Sequence, residues 1–144
     1  ICVPISKIGS QARNLPKLLN EAFESEKHII IFPAGLCSRK IKGQVTDLPW
    51  TKTFIQKSVQ NKRDVVPVHF IGENSPRFYR IANICKFLKL KFNVAMLFLP
   101  DEMYRSRGKT FKVKIGKPIP YQTFDSSKSA TEWAQYVREI AINL

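Results

Sequence analysis

Apolar residues along the chain fall into short blocks cut apart by Pro, Gly and charged positions, and both strand-like runs and helical spacings occur among them. Residues 29–32 (Ile-Ile-Ile-Phe) form a continuous, mostly β-branched run that stops at Pro33, Ala34 and Gly35. Such side chains suit a pleated, buried surface, so the run predicts an inner strand. Pro33 has no N–H to donate and Gly35 tolerates positive φ, so the ladder ends there and the chain turns. Upstream, residues 2–5 predict a short strand, and a polar loop follows through Ser10 to Arg13. Asn14 then caps a helix that has Pro16 in its first turn and Leu15, Leu18, Leu19, Ala22 and Phe23 on one face. A strand, a helix and a strand in that order favour parallel pairing through a crossover.

The same spacings continue downstream. Thr46 or Asp47 caps a helix with Pro49 in its first turn, and Trp50, Phe54, Ile55, Ser58 and Val59 supply its inner face. Residues 65–71 (VVPVHFI) predict a strand, in which Pro67 implies either a sheet edge or a bulge. After the turn cluster at 72–76, residues 76–91 read as a basic amphipathic helix. Phe78, Ile81, Ala82, Cys85 and Leu88 form its stripe with Tyr79 and Phe87 beside it, while Arg77, Arg80, Lys86, Lys89 and Lys91 carry charge uninterrupted by any acid. That helix either packs on a sheet with a solvated basic face or lies on an anionic bilayer. Residues 94–99 (VAMLFL) predict a third buried strand ended by Pro100, and residues 111–115 (FKVKI) a half-exposed one closed by Gly116-Lys117-Pro118. Ser129 with Glu132 is a capping box for a last helix packed through Trp133, Val137, Ile140, Ala141 and Leu144. The sum is a single α/β domain over residues 1–144, a mainly parallel or mixed central sheet flanked by helices. No repeat, low-complexity tract or linker divides it.

Composition narrows the chemistry. A hydrophobic content of 44% in 144 residues builds a core and excludes a disordered chain. No apolar run approaches the ~20 residues of a membrane span. Three cysteines (Cys2, Cys37, Cys85) with no CxxC pair support neither a disulfide framework nor a zinc site, and point to a reducing compartment. The chain opens on Ile1 directly into a strand-like segment, which suggests a piece whose partner segments lie upstream. The net charge of +13 asks for an anionic partner: nucleic acid, an acidic membrane surface or a phosphorylated substrate. The aromatic residues fall mostly on inward-looking positions, which argues against a nucleic-acid platform.

The loop after Phe32 is where ligands bind in open α/β sheets. It combines Gly35 with Ser38, Arg39 and Lys40, followed by Lys42 and Gly43, and reads as an anion-binding loop for a phosphate or carboxylate. Cys37 with His28 or His69 as base would make a nucleophile only if those side chains converge, and His69 reads as a half-buried strand residue. No catalytic residue and no metal ligand is assigned within these 144 residues.

Phe32-Pro33-Ala34-Gly35-Leu36-Cys37-Ser38-Arg39 resembles the third motif of the glycerophosphate and lysophosphatidate acyltransferase family, F-P-E-G-T-R-S-R. Val66-Pro67-Val68 is similar to its fourth motif, and Ile115-Gly116-Lys117-Pro118-Ile119 to its I-G-x-P-I close, in the family's order and spacing. The F-P-A-G form resembles the hemolysin-like branch of lyso-ornithine and related aminolipid O-acyltransferases. Ala34, Leu36 and Cys37 replace a glutamate, a threonine and an arginine that help hold a glycerol phosphate, so the resemblance favours a lyso-aminolipid acceptor. It implies acceptor binding by Gly35, Ser38, Arg39, Lys40 and Pro67, an acyl-CoA or acyl-ACP thioester as co-substrate, and no cofactor or metal. It also implies peripheral attachment to the cytoplasmic side of the inner membrane. The family's first motif, H-x-x-x-x-D, is absent: Pro33 stands five positions after His28 and Asn74 five after His69. The resemblance therefore places the catalytic histidine and aspartate upstream of Ile1 and implies that this piece is inactive alone. The alternatives are a catalytically dead membrane-attached scaffold and a basic nucleic-acid-binding module.

Overall fold

A computed structural model describes residues 15–89 and 94–144. The strand expected at 2–5, the loop from Ser10 to Arg13, the Asn14 cap, Cys2 and Lys91 lie outside those residues. The described elements are α1 (Leu15–Glu24), β1 (Arg39–Ile41), β2 (Gln44–Thr46), α2 (Thr53–Gln60), β3 (Val68–Ile71), α3 (Pro76–Phe87), α4 (Leu99–Arg105), β4 (Lys112–Ile115) and α5 (Ala130–Ile142), with 3-10 turns at Val94–Phe98 and Tyr121–Thr123. The α/β class holds, but the sheet differs from the expected one. Among the described residues the ladders are two antiparallel pairs, β1 with β2 and β3 with β4.

Two apolar clusters organise the packing. In the first, Phe54 and Ile55 of α2 meet Trp133, Ala134 and Val137 of α5, with Ile119 and Phe124 filling between them. In the second, Phe78, Tyr79 and Ala82 of α3 close on Ala95, with Cys37, Val45, Ile81 and Leu99 at the margin. The capping box is as expected: Ser129 Oγ accepts from Glu132 N at 3.3 Å and Glu132 Oε2 accepts from Ser129 N at 2.7 Å. The start of α3 is held differently. Ser75 Oγ accepts from Phe78 N at 3.2 Å, and the buried Glu102 carboxylate takes both the Ser75 N–H (2.6 Å) and hydroxyl (2.5 Å).

Four local expectations are corrected. Residues 94–99 are not a strand but a 3-10 turn leading into α4, because Pro100 in the first helical turn and Asp101 and Glu102 beside it favour a helix start. An apolar run of that length does not distinguish helix from strand by itself. Neither Thr46 nor Asp47 caps α2, whose N-cap is Lys52 without a side-chain bond; Asp47 Oδ2 instead accepts from Trp50 Nε1 at 3.2 Å. Residues 29–32 are unpaired among the described residues, with Ile30 83% and Phe32 82% exposed. A strand is a property of a pair, and no described neighbour supplies the second ladder. Phe32, Phe70, Phe87 and Phe111 all lie exposed, so the aromatic residues are less inward-looking than their spacing suggested.

Pro67 sits at a bulge. Between the bridge Val65–Ile119 and the pair Val68–Ile115, one strand contributes Val66 and Pro67 and the other Gly116, Lys117 and Pro118. The Pro67 carbonyl still accepts from Gly116 N at 2.9 Å, and its missing N–H falls where the ladder is interrupted.

Candidate functional site

The loop after residue 32 is built by a turn and a hairpin. Gly35 N donates to the Phe32 carbonyl at 2.9 Å across Pro33 and Ala34, and Gly35 itself takes φ +65°. The Pro33 carbonyl accepts both the Thr51 N–H and its hydroxyl, each at 3.1 Å, which fastens the turn to the start of the α2 segment. The chain then enters β1 and reverses at Lys42 (φ +49°) and Gly43 (φ +85°) into β2. Two positive-φ residues match the twist of a two-residue hairpin. The polar loop expected around Ser38, Arg39 and Lys40 is therefore the first arm of a β-hairpin.

Gly35, Ser38, Arg39 and Lys40 are thus brought together on one loop and one strand. Ser38 Oγ lies 3.3 Å from the Tyr79 hydroxyl, which also accepts from Asn74 N at 3.2 Å. The tyrosine's own proton is free to go to Ser38, so Tyr79 joins the hairpin to the turn that precedes α3. Arg39 Nη1 donates to the carbonyls of Cys37 (2.7 Å) and Ser38 (3.2 Å), while its Nε–H and Nη2 donors have no protein partner among the described residues. Lys40 is exposed, and its carbonyl accepts from Asn83 Nδ2 at 3.4 Å. At the far end of the hairpin Arg138 Nη2 of α5 donates to Thr46 Oγ1 (3.0 Å) and the Asp47 carbonyl (2.6 Å). Tyr79 and Arg138 are absent from the sequence-based site. Helical spacing marks the first only as apolar and the second only as charged, and no local pattern announces either contact.

Pro67 does not join this group. It is fully buried in the other two-stranded sheet, next to Gly116, and its ring is out of reach of a solute. Its part is in shaping the bulge. Two concavities occur elsewhere, over α2 and α5 and beside the end of α1, and none of the five expected binding residues lines either.

Neither histidine has a hydrogen-bonded carboxylate among the described residues. His28 is exposed, and His69 lies opposite Lys114 with its Nδ1 buried and unpartnered. Burial pushes the Cys37 thiol up, against a smaller lowering by the Arg39 guanidinium, so the sulfur is held as a thiol and not as a nucleophile. No group of metal-ligating side chains occurs among the described residues, and none of their helices is long and apolar enough to cross a membrane. The arrangement presents an exposed lysine and a guanidinium whose Nε and Nη2 are unpartnered among the described residues, from a backbone fixed at Thr51, Tyr79 and Arg138, which suits one small anionic group.

Comparison with known proteins agrees with the motifs. Over 144 residues the chain is 58% identical to the lyso-glycine lipid O-acyltransferase of Bacteroides thetaiotaomicron, covering 100% of this chain and 53% of that protein. It is 56% identical to the lyso-glycine lipid O-acyltransferase of Phocaeicola vulgatus, again over its whole length and 52% of the relative. The chain thus spans about half the length of the curated relatives it matches. No solved structure matches it. The acyltransferase family model aligns with residues 1–144 from end to end, and the chain belongs to that family.

Proposed function

We propose that the protein containing this chain is a lysolipid O-acyltransferase that moves a fatty acyl group from a thioester to the hydroxyl of a lyso-aminolipid with a glycine head group. The observation that carries this reading is the 56–58% identity, over all 144 residues and about half of each relative, to two lyso-glycine lipid O-acyltransferases, met at the Gly35–Lys40 segment by a single Arg-Lys pair in place of a denser phosphate site. A glycine joined through its amine keeps one carboxylate. One guanidinium whose Nε and Nη2 have no protein partner among the described residues matches that charge better than it matches a phosphate dianion.

In this mechanism Gly35, Ser38, Arg39 and Lys40 hold and orient the head group. A histidine paired with an aspartate, outside these residues, takes the proton of the acceptor hydroxyl. The oxygen attacks the thioester carbonyl, the tetrahedral intermediate collapses, and the thiol of acyl carrier protein or CoA leaves. No cofactor or metal takes part. The protein works as a peripheral enzyme on the cytoplasmic face of the inner membrane, where its acceptor resides, and nucleic acid is not a partner.

Purified full-length protein assayed with acyl-ACP and acyl-CoA is expected to acylate lyso-glycine lipid in preference to lysophosphatidate. Residues 1–144 alone are expected to release no thiol. Arg39→Ala raises the acceptor KM about tenfold or more, the loss of a hydrogen bond to a charged group. Equal use of lysophosphatidate, or turnover by residues 1–144 alone, overturns the corresponding part of the reading.

A further inference from the structure

The face of α3 turned away from the core divides into two halves. Arg77, Arg80, Ile84, Phe87 and Leu88 recur at spacings of three and four, opposite the buried Phe78, Ala82 and Cys85. Toward the C-terminal end this face is apolar and bare: Ile84 is 56%, Phe87 85% and Leu88 57% exposed. Leu97, on the 3-10 turn packed against α3, is exposed as well. Arg80 and Lys89 are exposed beside the patch, and no acid occurs from residue 76 to residue 92, where the sequence continues Leu90-Lys91-Phe92. Arg77 is engaged by Asp101 at 3.6 Å and stacks over Phe98 at 5.1 Å.

We propose that the C-terminal tip of α3 is the membrane-docking element of the protein, with Phe87, Leu88 and Ile84 entering the interface of an anionic bilayer and Arg80 and Lys89 meeting its headgroups. Most of the stripe that the sequence would lay flat on lipid is turned inward, Phe78, Ala82 and Ile81 on the second core cluster and Cys85 buried beyond it. Only Leu88 of the stripe is exposed, so the helix meets the membrane by its end and outer face. Charge decides between lipid and polypeptide as the cover. Residues 76–92 supply no acid, so a polypeptide seated on Phe87 would have to bring its own carboxylates into a desolvated contact with the neighbouring cations, whereas anionic headgroups supply the countercharge and stay wet. The exposed Val68, Phe70, Val113 and Ile115 face of the β3–β4 sheet has no cation among its four cross-strand residues, and that charge argument does not extend to it. The inference rests on the lysolipid reading above only in taking the acceptor to be membrane-borne.

The test is cosedimentation of the full-length protein with phosphatidylcholine vesicles with and without phosphatidylglycerol. Phe87→Ser with Leu88→Ser is expected to weaken binding to the phosphatidylglycerol vesicles about tenfold or more, the partition of a buried apolar side chain. Arg80→Glu is expected to erase the preference for phosphatidylglycerol. Both variants should keep the parent melting temperature and acylate detergent-dispersed lyso-glycine lipid as the parent does. Unchanged vesicle binding overturns the proposal. A lowered melting temperature or failure to fold in the Phe87/Leu88 variant also overturns it, since the patch is then covered by polypeptide. Loss of binding to an oligonucleotide in place of vesicles assigns the patch to nucleic acid and overturns it too. Failure to acylate by the parent protein with vesicle binding intact would instead sink the enzymatic reading.

Discussion

Gly116→Ala tests whether the paired Val-Pro-Val and Ile-Gly-x-Pro-Ile segments are a packing device. A Cβ added at Gly116 would stand 2.9 Å from Pro67 Cγ and 3.1 and 3.2 Å from the two Leu144 methyl carbons. Gly116 does not have positive φ, so alanine is refused by space and not by the backbone. Leu144 has rotamers to yield, but Pro67 is fully buried and its ring can change only its pucker. Overpacking of this kind costs about 1–3 kcal/mol, and the lower chain entropy of alanine in the unfolded state returns about 0.4–1 kcal/mol. The net expectation is a loss of about 1–2 kcal/mol, read as a lower urea midpoint at unchanged slope. Trp50 and Trp133, both in the α2–α5 cluster, are convenient reporters. Leu144→Ala should restore part of the loss in the double variant, because it clears two of the three close approaches. Well below the melting temperature the acceptor KM should be unchanged. An unaltered midpoint would refute the close approach, and an intact midpoint with a raised KM would return Pro67 and Gly116 to the acceptor site.

Other perturbations separate the remaining claims. Tyr79→Phe removes the acceptor of the Asn74 N–H and the partner of Ser38; about 1 kcal/mol of stability and a several-fold rise in acceptor KM are expected, by urea titration and initial rates. Cys37→Ala should leave turnover unchanged, because the thiol is held protonated by burial; loss of turnover at normal stability would restore it as a nucleophile. Bonds from the Ser129 hydroxyl and N–H hold the Glu132 carboxyl below its usual range. A depressed pKa in the folded state adds stability above the unfolded pKa that is lost as pH falls through the folded one. Glu132→Gln should therefore lower the urea midpoint at neutral pH and flatten its fall in acid.

What could be read in the sequence was what is decided within a turn or two. Ser129 with Glu132 closes its box over three residues, and the alternation in residues 111–115 yields β4, although both of its faces are exposed and not one, as the alternation implied. The spacings at Leu15, Phe54 and Phe78 each gave a helix with its inner face correctly assigned at those positions. The errors fall where a distant partner or a neighbouring breaker decides. Residues 94–99 are apolar enough for a strand, and Pro100 with its acidic followers tips them to helix. Lys42-Gly43 is a weak hairpin signal, because lysine seldom takes φ +49°, and only Gly43 hints at the turn. Tyr79 reaches Ser38 across 41 residues and Arg138 reaches Thr46 across 92, distances over which no periodicity speaks.

That contrast bears on how the Gly35–Lys40 loop keeps its shape. Residues 29–32 lead into it, yet they are unpaired among the described residues, while the segment just after them is tied at Pro33 to Thr51, at Ser38 to Tyr79 and at Thr46 to Arg138. The loop is therefore positioned by α3, α5 and the start of the α2 segment, and not by the run that precedes it. A strand laid beside residues 29–32 would add a wall without redrawing the hairpin. Amide exchange is expected to show this directly. In residues 1–144 the amides at 30–32 should exchange at close to unfolded rates, whereas Thr51, donating to Pro33, and the paired β1–β2 amides are protected. In the full-length protein the amides at 30–32 should gain protection while the hairpin's stays the same. A hairpin that becomes protected only in the full-length protein would mean that its geometry depends on the missing pairing, and the binding role given to Gly35, Ser38, Arg39 and Lys40 would then have to be drawn again from that larger assembly.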